Sequence, residues 1–449
     1  MNILNLKRFF LLSRVRFGFL LFHFFFLFFL PAALFSETIK INSVRYFLPD
    51  GSGLSVVSDI TIEGDKITEI QPAQNSKNIR YVTPAFCDSF ATLGSDPLGG
   101  IYGRTEIELA LKSFLAHGFT DIQSVGDGDW VRKFKSPESA PDLYLAGKPL
   151  IPVSDETDKL NKTVYLPLGK SMLTSNLDTL IPENNVYIFH RIGSKTQLDA
   201  SDLFQLKDWA FTKKKRLIAS TFADRFSIIE SLSAGIRYIH HPIPDDYKKN
   251  LYSIYMSELH WSPMFNVYYF QSRSVEDLNK ETGFMVNSLF FKTHYKDRMS
   301  LLQESLVLDT KTLEEAKNEY DSYIYFLKDH LKLAGKMILS GGSGYKFAFA
   351  GISGINEMKI LHEAGIPLTE IIRISSSNTC EFIGAPERSI RKAGNAYMNI
   401  YSKNPLESPQ NLLSLEMVIK KGKIVYTEQN EPEVRKKEDE HGRKTKRKK

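Results

Sequence analysis

Cysteine is nearly absent: Cys87 and Cys380 are the two in a chain of 449 residues. That excludes the multi-bridge framework of small secreted domains. Buried free thiols are the expectation, with one bridge between the two as the alternative. No Lys-Ser/Thr pair follows Gly341-Gly342-Ser343-Gly344 at the required spacing, so this run is not a P-loop. No internal repeat is evident. A nucleic-acid-binding surface is also missing. The formal net charge is +6, but Lys7, Arg8, Arg14 and Arg16 stand at the N-terminus without an acid, and residues 431–449 hold nine Lys/Arg against five Asp/Glu. The body between them carries about −2.

What is present begins with a targeting segment. An apolar run from Phe17 to Phe35, interrupted by His23 and Pro31, follows the N-terminal charges. Ala32, Ala33 and Ser36 then precede the polar start at Glu37, the order of a secretory signal cleaved near Ser36. The run is nearly long enough to span a bilayer, so an uncleaved anchor is the competing reading. No Cys ends the run, which argues against lipid attachment. The expected location is periplasmic or extracellular, with membrane anchoring if the segment is retained. The tail from Glu431 to Lys449 reads as disordered and solvated, with contact to an anionic surface as an alternative. Asn161-Lys162-Thr163 is a glycosylation sequon, a pattern that often arises by chance.

Between these ends the composition is 42% hydrophobic, ample for a large core. Thr38 to Tyr46, Ser58 to Ile62 and Lys66 to Ile70 read as short strands, with Gly64-Asp65 as a tight hairpin. From about residue 83, short apolar runs alternate with amphipathic stretches such as Thr105 to His117, closed by Gly118. Further strands are expected at Phe119 to Val125, Leu143 to Ala146, Val186 to Phe189, Arg216 to Ala219, Ile236 to His240 and Met337 to Leu339. Helices are expected at Ser201 to Lys213, Arg225 to Ala234, Lys311 to Ala334, Gly354 to Ala364 and Leu368 to Cys380. Ala396 to Tyr401 and Val418 to Tyr426 read as strands again. Repeated strand–helix alternation argues a parallel α/β architecture: a (β/α)8 TIM-like barrel, with a small β-sandwich domain formed by both chain ends. An open doubly wound sheet is the runner-up. The expected domains are a signal at 1–36, a composite β domain from 37–83 and 390–428, a barrel at 84–389 and a tail at 429–449. Residues 244–335 show few clear strands and read as a helical insertion over the barrel mouth.

The order of several motifs resembles the amidohydrolase superfamily, most like its imidazolonepropionase- and prolidase-type members. VTPAFCDSFATL stands where the family has PGLIDxHxHL, and LAHGFTDIQSVGD resembles its next strand. APDLYLAGKPLIP, SELHWSPMFNVYY and GINEMKILHEAGIPLTEIIRISSSNTCEFIG follow in the family's order. The resemblance covers roughly residues 38 to 428. It implies a barrel whose mouth holds one or two divalent metals that activate water against an amide or ester-like bond.

Carried over position by position, the implied ligands are mostly missing. The first-strand His pair falls on Phe90 and Thr92, and the bridging Lys on Tyr187 or Phe189. The fifth-strand His falls on Ser220, and the sixth-strand His on His241, which is retained. The catalytic Asp falls on Ser343. Asp88 and Glu357 match the family but are not usual ligands. His190 and His240 are the nearest recruits, although adjacent strand residues such as His240 and His241 are expected on opposite faces.

A zinc or other divalent ion needs about three or four protein donors, so none is expected to bind tightly unless part of the family site survives. The leading expectation is an inactive member that binds a small ligand or a protein partner at the mouth, around Phe90, Thr92, Tyr187, His190, Ser220, His241 and Ser343. Tyr268, Tyr269, Phe270 and Tyr345 either line that pocket or pack as core. The alternatives are an active hydrolase of amide or ester-like bonds with a reduced or non-standard metal site around His241, His190, Asp88 and Ser343, with Ser343 as a candidate nucleophile and His241 as its base, and an envelope assembly protein.

Overall fold

A computed structural model describes residues 38–430 apart from 75–76, 98–99, 135–136, 153–164, 170–172, 174–176, 190–197, 245–256, 275–276, 278–282, 296, 298–312, 333–334 and 346. The signal, the sequon, His190 and the basic tail lie outside the described residues. Among the described residues, no helix is long and apolar enough to cross a membrane.

Both chain ends build one seven-stranded sheet in the order β17-β16-β15-β4-β1-β2-β3. Its strands are β1 (Thr38–Tyr46), β2 (Ser58–Glu63), β3 (Lys66–Pro72), β4 (Arg80–Pro84), β15 (Met398–Tyr401), β16 (Leu415–Lys420) and β17 (Lys423–Thr427). The seam where the chain leaves and returns is the β4–β15 pair, with Ile400 opposite Val82. The two hairpin tips touch: a Cβ on Gly422 would lie 1.6 Å from the carbonyl oxygen of Gly64, so only glycine fits.

The middle of the chain forms two parallel arcs. One is β5 (Phe86–Ala91), β6 (Phe119–Ser124) and β7 (Asp142–Leu145). The other runs β9 (Leu166–Leu168), β8 (Leu150–Pro152), β10 (Asn185–Phe189), β11 (Arg216–Ser220), β12 (Tyr238–His240), β13 (His260–Ser262) and β14 (Lys336–Met337). Gly147, at φ 76°, and Pro149 lie in the connection between β7 and β8. At the other seam, Ser89 N–H donates to the Leu339 carbonyl at 3.1 Å and Thr92 N–H to that of Ser343 at 2.8 Å.

Helices alternate with these strands as the sequence pattern requires: α1 (Arg104–Ala116), α2 (Ala200–Thr212), α3 (Arg225–Ser233), α4 (Leu313–Lys332), α5 (Ile352–Glu363), α6 (Leu368–Arg373) and α7 (Thr379–Ile383). Asp199 caps α2 in a capping box with Asp202, and the Asp224 side chain caps α3. Two expectations need correction. Strand β13 lies inside the stretch read as a helical insertion with few clear strands, and its three residues are too few to show a period. The helix expected from Leu368 to Cys380 continues to Ile383 and passes through a π-turn at Ile374–Asn378, where Ser375 and Ser376 hydroxyls donate to the Ile371 and Ile372 carbonyls.

Alternation sets the core in two shells. Val186, Ile188, Leu217, Ala219, Ile239 and Trp261 pack outward with the helices. Tyr187, Phe189, Ile218, Phe90, Val125 and Ile338 form the inner cluster. A third correction falls here. Cys87 and Cys380 are joined in a disulfide, with Cα atoms 5.3 Å apart and both residues buried, rather than standing as free thiols. They are 293 residues apart, so sequence spacing alone carried no sign of their contact.

Candidate functional site

The register across the second arc places Phe189, Ser220, His240 and Ser262 side by side, one layer above Tyr187, Ile218 and Tyr238. Tyr187 and Phe189 both face inward, two residues apart on β10, which removes the need to choose between them for the missing Lys.

Packed rings fill this layer. Phe90 is fully buried, with ring centroids 5.6 Å from Tyr187, 6.4 Å from Phe189, 5.8 Å from His240 and 5.7 Å from Tyr345. The Tyr187 hydroxyl lies 3.0 Å from Gln123 Oε1 and 3.1 Å from the Ser89 carbonyl oxygen. Thr92 Oγ1 donates to the Val125 carbonyl at 2.9 Å. A row of hydroxyls crosses the seam: Ser262 Oγ lies 2.6 Å from Ser340 Oγ, which lies 2.5 Å from Ser89 Oγ. Sequence reading did not single out this row, whose members stand on β5, at the end of β13 and just past β14.

His240 and His241 do not diverge as expected. Strand β12 ends at His240, and His241 takes a φ of 77°, which breaks the alternation. Both rings therefore meet one aromatic cluster, His240 against Phe90 and Tyr187, His241 against Phe222, Tyr268 and Tyr345. His241 Nε2 lies 2.9 Å from Ser220 Oγ and Nδ1 lies 3.0 Å from Tyr268 Oη. A neutral imidazole donates through one nitrogen and accepts through the other, and each hydroxyl can complement either role. Burial holds His241 neutral, its pKa pushed down to about 3. Burial also pushes His240 well below the usual imidazole range, with His241 adding to the shift. Among the described residues neither ring nitrogen of His240 has a hydrogen-bond partner.

Both His241 nitrogens are engaged by Ser220 and Tyr268, and among the described residues no hydrogen bond joins Ser343 to His241. Ser343 instead pairs with Ala91 in an isolated bridge across the β14–β5 seam. Asp88 accepts from Phe90 N–H at 3.0 Å and from Gly341 N–H at 3.1 Å, tying β5 to the glycine turn. A Cβ on Gly341 would lie 2.7 Å from Gly354 N and 2.8 Å from Asp88 Oδ2, which explains the glycine. Burial raises the Asp88 carboxyl to about 7. Glu357 accepts from Phe265 N–H at 3.0 Å and Asn266 N–H at 2.6 Å, and burial raises it to about 8. Both carboxyls thus serve backbone amides. Of the four aromatics singled out in sequence, Tyr269 and Phe270 pack in the outer core, while Tyr268 and Tyr345 reach His241.

The donor set does not fit the divalent metal that the fold implies. Phenyl, phenol and hydroxyl groups stand at the positions that the motif resemblance assigns to ligands, and both His241 nitrogens are engaged by hydroxyls. Among the described residues, no group of three or more His, Cys, Asp or Glu is placed to hold a metal. What the arrangement offers chemically is a buried Ser220–His241–Tyr268 hydrogen-bond chain under a rim of partly exposed Phe222, Tyr268 and Tyr345.

No family profile and no curated protein matches this chain. Solved structures do. A Xaa-Pro dipeptidase with methionine bound in its active site aligns over 87% of this chain and 100% of its own, at 15% identity and a TM-score of 0.65. The ochratoxinase of A. niger aligns over 87% and 96%, at 14% identity and a TM-score of 0.61. A bottromycin amidohydrolase aligns over 87% and 88%, at 14% identity and a TM-score of 0.61. The likeness stated from the motifs therefore holds in three dimensions as a likeness of fold: this chain folds like these solved dipeptidase and amidohydrolase structures.

Proposed function

We propose that this chain is an exported protein with an amidohydrolase fold that has given up metal-dependent hydrolysis and binds a small organic ligand at the barrel mouth. In this reading the two parallel arcs are the halves of a (β/α)8 barrel, and the composite sheet is the family's accessory β domain. The observation that carries it is the double commitment of His241 to Ser220 and Tyr268, in a layer otherwise filled by Phe90, Tyr187 and Phe189. The partly exposed rings of Phe222, Tyr268 and Tyr345 supply apolar contact, and hydroxyls supply orientation. The Cys87–Cys380 disulfide supports an oxidising compartment.

The test is a thermal-shift screen of cyclic and aromatic amides against the wild type and Tyr345→Ala. Ligands that stabilise the wild type and not the variant support the reading. Zinc-stimulated turnover of any of them would sink it.

A second reading rests on Ser220. Its oxygen lies 2.9 Å from a histidine whose other nitrogen is held by Tyr268, a nucleophile–base–orienter arrangement. Against it, Ser220 is fully buried and His241 is 1% exposed, so a substrate carbonyl has no approach without rearrangement. Labelling of Ser220 by a fluorophosphonate would favour this second reading.

A further inference from the structure

The end of the strand arcs opposite the His241 layer holds a second cavity. Arg216, Tyr238, His260 and Lys336 are the first residues of β11, β12, β13 and β14. With Phe382 and Ile366 they line a space of about 910 Å³, within the range that small organic ligands occupy.

Strand register makes this lining. Tyr238 pairs with His260, and His260 with Lys336, so the three side chains stand in a row on one face. Arg216 precedes by two residues Ile218, the partner of Tyr238, and joins the same face from the neighbouring strand. Phe382, from α7, forms a wall: its ring centroid is 5.7 Å from that of Tyr238 and 5.7 Å from the Arg216 guanidinium.

Charge in the cavity is unevenly matched. Arg373 is neutralised by Glu370 at 2.5 Å. Arg216 donates to a neutral acceptor, the Phe382 carbonyl, at 2.7 Å, which fixes its head without cancelling its charge. Among the described residues no carboxylate forms an ion pair with Arg216 or Lys336. Glu381 is the remaining acid in the lining, one carboxylate against two cations. The half-buried His260 registers the imbalance. Burial first, then the nearby Lys336 and Arg216, push its pKa down to about 4, so it presents a neutral ring.

We propose that this cavity is a second ligand site, taking an organic anion whose carboxylate or phosphate sits between Arg216 and Lys336. Its planar body lies against Tyr238, His260 and Phe382. A guanidinium offers two parallel donors to either acid group, and the ammonium adds a second point charge. The aromatic wall selects for a ring or other flat apolar body over the bare anion. The site shares no residue with the His241 layer and stands whether or not the mouth binds anything.

The test is calorimetric titration of the full-length protein with four probes: benzoate, phenyl phosphate, inorganic phosphate and benzylamine. Saturable binding of benzoate or phenyl phosphate is expected, tighter than inorganic phosphate, with no binding of benzylamine. Whichever aromatic anion is tighter identifies the acid group. Lys336 is exposed, so Lys336→Glu keeps the fold, and it should weaken binding at least tenfold. Arg216→Gln, accepted only with an unchanged melting temperature, should do the same. Lys403→Glu, in the bend after β15, should leave the affinity unchanged. The proposal is overturned if neither aromatic anion binds saturably, if Lys336→Glu binds as tightly as the wild type, or if inorganic phosphate matches phenyl phosphate.

Discussion

Arg388 and Asp121 form an ion pair inside the strand arcs with neither side chain exposed to solvent. The Arg388 guanidinium carbon stands 3.6 Å from the centroid of the Tyr397 ring, and Thr120 Oγ1 and Tyr144 Oη donate to Asp121 at 2.7 Å and 3.2 Å. Because a lone buried charge cannot be resolvated, Asp121→Asn should cost about 3–5 kcal/mol of stability, measured by urea unfolding. Replacing both partners together, as Asp121→Leu with Arg388→Met, should cost less than the single change. A double variant weaker than the single would contradict this account of the pair.

The Cys87–Cys380 bridge closes nearly the whole α/β body, from β5 to α7. Reduction, or Cys87→Ser with Cys380→Ser, should lower stability by about 2–5 kcal/mol. A thiol count under denaturing conditions before and after reduction checks the bridge directly: zero, then two.

Burial patterns give the pH dependence. Asp88 and Glu357 have folded pKa values of about 7 and about 8, above their unfolded values, so the folded state holds more protons. Their contribution is complete below about pH 4 and is lost as pH rises to 8. His117, His241 and His330, depressed to about 4, about 3 and about 4, act oppositely: their contribution is present above about pH 6.5 and is lost on acidification. The two sets oppose each other between about pH 4 and 6.5, and only the carboxyls act above it. Stability should therefore fall between pH 6.5 and 8.5 by an amount on the order of 1–3 kcal/mol. Glu357→Gln should flatten that fall. An equally steep fall in the variant would assign it to other groups.

Ser220→Ala should leave one His241 nitrogen without its partner and cost about 1–3 kcal/mol, as should Tyr268→Phe. In the pair of substitutions together the penalties should not add, because both act on one ring. Denaturant midpoints of the three variants give the coupling.

Much of the fold was legible because its elements are long enough to show a period. The amphipathic stretch ending at Gly118, the apolar run Val186–Phe189 and the Gly64-Asp65 hairpin each declare themselves through neighbours a few residues away. The positions that the resemblance assigns to metal ligands were reached in another way: the motif order aligns Phe90, Thr92, Ser220 and Ser343 one at a time. What could not be read depends on contacts between distant residues. His241 turns inward because of a single positive φ, and Ser220 stands beside it because parallel pairing sets Ser220 level with His240. The anion cavity is likewise a product of register, since Tyr238, His260 and Lys336 become neighbours only when three strands align.

The central claim concerns coordination, and metal analysis of the purified full-length chain tests it most directly. After dialysis and incubation with zinc, manganese or iron, substoichiometric metal is the expected result, unchanged in His241→Ala. One or two tightly held equivalents, lost in that variant, would contradict the account.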